Sequence, residues 1–209
     1  MKGVCMVNET KEKILAVSLE LFSQKGYTAV SIRDICKQVG IKESSVYYHF
    51  ENKQAVFDEI LSRFQKKATD MMKYFESAMI ADSHMTNNIF SIEVCNCFFE
   101  KYLMDDFCNK VMRLMLIEQF NNESVKMAYD YWMFTKPLEF QSSIFQMLLD
   151  RGVIPDTDSK YAAIQYYAPI FFFAQKWLFS GSLSDENKNA FRKDAYKHIQ
   201  NFFSTLGGV

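Results

Sequence analysis

The chain has 209 residues, 49% of them apolar and 23% charged, with a formal net charge of −1. That balance excludes general disorder and supports a sizeable core. Seven glycines and three prolines are too few for the tight turns of an all-β fold.

Helical periodicity runs almost from end to end, so the chain reads as all-α. The start, MKGVCMVNETKEK, turns polar before any apolar region forms, and the longest apolar stretch, from Ile164 to Phe179, is interrupted by Gln175 and Lys176. Neither a secretion signal nor a span of about 20 apolar residues is expected. Five cysteines, an odd number, then read as free thiols in a reducing cytoplasm. Residues 1–54 hold eight Lys/Arg against six Asp/Glu, an asymmetry too small to indicate nucleic acid by itself.

A first helix is expected from Lys11 to Lys25, where Ile14, Leu15, Leu21 and Phe22 recur on one side, Ser18 fills the i+4 place and Gly26 ends the pattern. The stretch SIRDICKQVG predicts a second, short helix. Ser31 is its N-cap, Asp34 completes a capping box, Ile32, Ile35, Cys36 and Val39 form its apolar stripe, and Gly40 supplies the left-handed residue after its end.

The stretch IKESSVYYHF lacks the strict alternation of a strand and fits a third helix. With Lys42 as N-cap, Ile41 and Val46 have the spacing of a hydrophobic staple. Val46 and Phe50 then face the core, while Ser44, Tyr47 and Tyr48 share the opposite face. Asn52 caps a fourth helix and puts Lys53 in its first turn. Three short helices with a tight glycine turn between the second and third describe a helix-turn-helix.

The run from Lys11 to Phe57 resembles the N-terminal DNA-binding domain of the TetR family of bacterial transcriptional regulators. The residues that carry the resemblance are the Leu21-Phe22 ending, Gly26-Tyr27, Ser31-Ile32-Arg33-Asp34-Ile35, Val39-Gly40, Tyr47-Tyr48-His49-Phe50, and Lys53 ahead of Phe57. The resemblance implies that the third helix enters the major groove, with some side chains on base edges and others on phosphates. The implied DNA-binding residues are Ser31, Arg33, Lys42, Glu43, Ser44, Ser45, Tyr47, Tyr48, His49 and Lys53. The chain departs from the family's pattern where Lys42 and Glu43 stand in place of a hydroxyl residue and a basic one. Losing a hydroxyl cap costs about 1 kcal/mol, and Glu43 either turns from phosphate or accepts from a cytosine amine.

Beyond Phe57, apolar-periodic segments run from Asn88 to Tyr102, Asp106 to Glu118, Glu123 to Arg151, Asp158 to Ser180 and Ser184 to Leu206. Pro169 is expected to kink or break the fourth of these. Residues 55–209 hold 28 of the 33 aromatic residues, which suit a core, an interface or a pocket. The resemblance implies an all-α protein of two domains, a helix-turn-helix reader at 1–54 and a helical effector-binding and dimerisation domain at 55–209. The homodimer seam falls on the segments Asp158 to Ser180 and Ser184 to Leu206.

For the effector, Phe98, Met112, Met115, Phe134, Leu138, Tyr166 and Phe173 offer adaptable, flat apolar walls for a lipophilic or aromatic molecule. Glu118 and Glu139 favour a cationic effector if they point inward and otherwise face water. Cys95 and Cys97 point to opposite helix faces, and His49, His84 and His198 have no metal-ligand spacing. With no phosphate loop and no nucleophile–base set, neither an enzyme nor a metal or other cofactor is expected. The expected function is a cytoplasmic, ligand-responsive repressor, released from a near-palindromic operator by its effector. A DNA-binding dimer with a filled core and no ligand, or a helical interaction module, are the alternatives.

Overall fold

The computed structural model describes residues 2–81 and 98–207, and within them every regular element is a helix. In chain order these are α1 (Lys2–Lys25), α2 (Ile32–Val39), α3 (Glu43–His49) and α4 (Lys53–Ala81), then a wide π-type turn at Phe99–Leu103. There follow α5 (Asp106–Glu118), α6 (Glu123–Asp130), a π turn at Tyr131–Thr135, α7 (Lys136–Asp150), α8 (Ser159–Ala174), a π turn at Gln175–Phe179 and α9 (Asp185–Gly207). None of these helices is long and apolar enough to cross a membrane. The expected segment from Asn88 and the pair Cys95 and Cys97 lie largely or wholly outside the described residues.

The chain forms two compact units: Met1–Lys67 with Lys110–Tyr129, and Ala68–Asn109 with Asp130–Val209. In the first, α1 packs on α2 and α3, and α2 on α3. Ile14, Leu15, Leu19 and Phe22 of α1 are buried with Ile35 and Cys36 of α2, Val46 of α3, and Val56, Phe57, Ile60 and Phe64 of α4. Side chains of this size contribute about 1.5–3 kcal/mol each when removed from water. The buried position in the first helix is Leu19 where Leu21 was expected; Leu21 is half-buried, since Leu15, Leu19 and Phe22 keep the i+4 and i+3 steps of one face.

In the second unit α8 packs against both α7 and α9. Fully buried Phe99 meets Phe191 edge-on at 4.9 Å, and Phe145 meets Tyr166 edge-on at 5.7 Å. The buried Asn109 amide donates to the Leu103 and Leu178 carbonyls at 3.4 and 3.1 Å, joining the ends of two π turns. Arg192 of α9 holds Glu100 through Nε at 3.0 Å and through Nη2.

Two prolines show how backbone accounting shapes this unit. Pro137 has no N–H to give the Met133 carbonyl four residues back, and the helix widens into the π turn at Tyr131–Thr135. The Met133 carbonyl accepts instead from the Tyr167 hydroxyl of α8 at 2.7 Å. Of the two outcomes expected at Pro169, a kink or a break, the break does not occur: α8 runs unbroken from Ser159 to Ala174. The carbonyl it leaves without a helical donor belongs to Gln165, an exposed residue, where water can replace the lost bond.

The Tyr167→Phe variant should lose about 1–2 kcal/mol in denaturant unfolding, because it strands a buried carbonyl. An unchanged midpoint would mean the widened turn satisfies the Met133 carbonyl by itself.

Candidate nucleic-acid interface

The head is built as the local sequence requires. Ser31 caps α2 with extended backbone (φ −98°, ψ 162°), and its hydroxyl accepts from the Asp34 amide at 3.2 Å while the Asp34 carboxylate accepts from the Ser31 amide at 2.8 Å. The bonds from Ser31 hold the Asp34 carboxyl below its ordinary value of 3.8. Gly40, at φ 80°, ends α2, and its amide and that of Ile41 both donate to the Cys36 carbonyl. Few residues besides glycine take this left-handed conformation without strain. Burial raises the Cys36 thiol above its ordinary value, with the Glu43 charge adding to it.

Lys42 is the N-cap of α3, with no side-chain bond to the first amides. The missing hydroxyl cap is therefore not replaced from within the residue. Val46 is fully buried and Phe50 is 5% exposed, so α3 is anchored by one narrow face. On the other face Tyr47 is 52% and Tyr48 73% exposed, which excludes packing between α3 and α4 as their main role. Ser44 and Lys42 are exposed beside them, and Ser45 is half-buried. His49, half-buried, sets its ring edge-on to Tyr48 at 5.0 Å. Asn52 caps α4 by accepting from the Ala55 amide at 2.9 Å.

Three charged residues hold partners within the protein that local sequence patterns do not show. Glu43 is paired: Arg33 Nε donates to its Oε1 at 3.0 Å, across from α2 to α3. Lys53 is turned inward. Its ammonium donates to the carbonyls of Tyr27 at 2.8 Å and Val30 at 2.7 Å and lies 4.2 Å from the centroid of the Tyr27 ring. Burial lowers the Lys53 pKa, with the Glu118 charge opposing it.

Glu118, expected to face water or a cationic effector, is 1% exposed and does neither. Its carboxylate accepts from the Thr28 amide at 3.1 Å and from the Thr28 hydroxyl. A side chain on Gly26 would bring Cβ to 2.8 Å from Glu118 Oε2, which would have to shift, and the left-handed backbone (φ 84°) itself favours glycine there. Tyr27 closes the group, its hydroxyl donating to Gln54 at 3.0 Å and its ring edge-on to Phe22 at 5.4 Å. No local pattern marked Thr28 or Glu118, which meet across 90 residues of sequence.

The seven effector candidates do not gather at one described cavity. Met112 and Met115 are fully buried in the first unit, and the other five belong to the second. There Tyr166 is buried, Phe98, Leu138 and Phe173 are half-buried, and Phe134 is 38% exposed with its ring against Phe171 at 5.2 Å. A groove of about 550 Å³ lies instead between α8 and α9, lined by residues that include Tyr161, Ile164, Pro169, His198 and Phe202, and none of the seven lines it. Glu139 is exposed beside Lys136 at 3.6 Å. Among the described residues no group of three His, Cys, Asp or Glu is placed to hold a metal ion.

Replacing Lys53 by Met should cost the head about 2 kcal/mol in urea unfolding, since two carbonyls lose a charged donor. A variant of native stability that binds DNA poorly would return Lys53 to a phosphate role.

Residues 14–60 match the family model described as bacterial regulatory proteins, tetR family. The biofilm operon icaADBC HTH-type negative transcriptional regulator IcaR of Staphylococcus aureus is 23% identical over 207 residues, covering 92% of this chain and 98% of its own. Among solved structures, a TetR-family transcriptional regulator from Mesorhizobium loti superposes with a TM-score of 0.70 at 21% identity, over 96% of this chain and 98% of that one. SmeT of Stenotrophomonas maltophilia, in its complex with triclosan, gives 0.71 at 20% identity over 95% and 92%. Residues 14–60, which hold the capped α2, the glycine turn and the half-anchored α3, thus carry a tetR-family regulatory domain, in a chain that is similar over nearly its full length to TetR-family regulators.

Proposed function

We propose that the chain is a homodimeric repressor that reads a near-palindromic operator through α3 and releases it when a small lipophilic or aromatic effector binds. The observation that carries the reading part is the split character of α3. Its Val46 side is fully buried, and its Ser44, Tyr47 and Tyr48 side is exposed without apolar cover. Hydroxyls and tyrosine rings suit phosphate oxygens, sugars and thymine methyls. Repression is favoured by the curated relative IcaR, described as a negative regulator.

By function, residues 1–54 do the reading and 55–209 bind the effector and dimerise, with Lys110–Tyr129 of the latter in the compact unit of the head. Work on DNA assigns the protein to the cytoplasm. The seam is supported by the row Tyr161, Ile164, Ala168 and Phe172 along one side of α8, where the three large apolar residues are 58%, 47% and 61% exposed. An unpaired apolar row of this kind fits a second copy of itself about a two-fold axis. SmeT holds triclosan in its complex, which supports a lipophilic aromatic molecule as the first effector class to test. Such a molecule shifts the population between two arrangements by its difference in affinity for them.

Selection of bound duplexes from a random pool tests the reading directly. Two half-sites should emerge with centres about 34–36 Å apart or a multiple of that, and Tyr47→Ala and Tyr48→Ala should each weaken the selected duplex by roughly 3- to 10-fold. A pool with no enrichment would leave the chain a helical interaction module. Phe172→Asp should turn the dimer into a monomer in sedimentation, and a dimer that persists would move the seam elsewhere.

A further inference from the structure

An acid at the first position of a DNA-reading helix repels the backbone it approaches, and Glu43 stands there with Arg33 fastened to it. The manner of the fastening is informative. A guanidinium offers donors along two useful edges, the side edge that includes Nε and the end formed by Nη1 and Nη2. The bond from Arg33 to Glu43 uses Nε at 3.0 Å. Neither terminal nitrogen of Arg33 has a partner among the described residues, and the side chain is 86% exposed.

Two other arginines are spent in full. Arg63 gives Nε to Glu59 and both terminal nitrogens to Glu12. Arg192 gives Nε and Nη2 to Glu100 and Nη1 to Asn189. Arg33 alone among these three is held by its Nε and left open at its forked end.

An exposed ion pair contributes little to stability, so holding the head together is a poor account of this contact. Orientation is a better one. A free arginine loses much rotamer freedom when it binds, and an anchored one has lost part of it already. Arg33 also stands on α2, the helix that crosses the backbone in this mode of docking, whereas base edges are met by α3. The open fork matches two phosphate oxygens in parallel.

We propose that Glu43 is a positioning residue: it holds Arg33 by Nε so that the Nη1 and Nη2 end grips an operator phosphate. The inference rests on the reading of the protein as a DNA binder. It also resolves the acid at the mouth of α3, whose charge is spent on aiming a cation.

The test is a double-mutant cycle in the full-length protein, titrated on its selected duplex and on an unrelated duplex across a salt series. Circular dichroism melting accompanies each variant to establish that it is folded. Arg33→Ala should weaken both duplexes and reduce the steepness of the salt dependence by about one phosphate contact. Glu43→Ala removes a negative charge, yet should weaken both duplexes about fivefold. In the Arg33→Ala background the same change should be neutral or tighten binding.

Tightening by Glu43→Ala in both backgrounds would overturn the proposal and make the acid a simple repulsion. An altered preference at one operator position, with Arg33→Ala silent, would overturn it in favour of a base-reading carboxylate. Failure of the unmodified protein to bind any duplex would sink the parent reading, an outcome distinct from both.

Discussion

The turn between α1 and α2 is the constraint on which the first unit depends. Residues Gly26 to Val30 are clasped from two directions by opposite charges, and each charge takes the backbone groups of the other sign. The Lys53 ammonium collects the Tyr27 and Val30 carbonyls, and the Glu118 carboxylate collects the Thr28 amide and hydroxyl. A five-residue turn carries peptide groups that no helix satisfies, and burial without partners would be costly. Charged donors and acceptors make such bonds about twice as strong as neutral ones. The turn that leads into α2 is positioned by residues from α4 and α5.

That clasp explains why two residues of unpromising type are tied to particular places. Gly26 is favoured because its backbone is left-handed, where other side chains are strained, and its missing Cβ leaves room for Glu118 Oε2. Lys53 is a cation in the first turn of a helix, where the macrodipole disfavours it. Two carbonyl bonds and the face of Tyr27 outweigh that penalty. Further α1 contacts reinforce the arrangement, with Lys110 on Glu20 at 2.7 Å and Arg63 on Glu12 at 2.6 Å. Two of the three ammonium donors of Lys53 are thereby used on backbone carbonyls of its own unit. The exposed side of α3 and its start is rich in hydroxyls, with Ser44, Tyr47 and Tyr48 beside the Lys42 cation and the paired charges of Arg33 and Glu43.

The second unit solves a related backbone problem with neutral groups. Its three π turns each widen a helix, and one stands beside a proline that removes a donor. A tyrosine hydroxyl from a neighbouring helix takes the carbonyl left over. A buried asparagine joins the other two turns through their carbonyls. In both units, helix positions are set by polar groups that reach across to strained or interrupted backbone, with apolar packing supplying the bulk of the cohesion.

What the sequence determined by itself is whatever short-range chemistry decides. The capping box at Ser31 and Asp34, the left-handed Gly40, the Asn52 cap, the division of α3 into buried and exposed faces, and the limits of α5 from Asp106 to Glu118 all depend on residues within a turn or two. Tertiary structure alone decided the partners of charges. No local pattern shows the Tyr27 and Val30 carbonyls that Lys53 holds, and Glu118 reads as solvated until Thr28 is brought to it from 90 residues away. Pro169 reads as a kink or a break, and only its exposed turn shows why the helix tolerates the missing bond without breaking. The reason is common to all three. Periodicity reports which face of a helix is buried, but the cost of a charge or an unpaired carbonyl depends on what packs against it, and distant segments provide that.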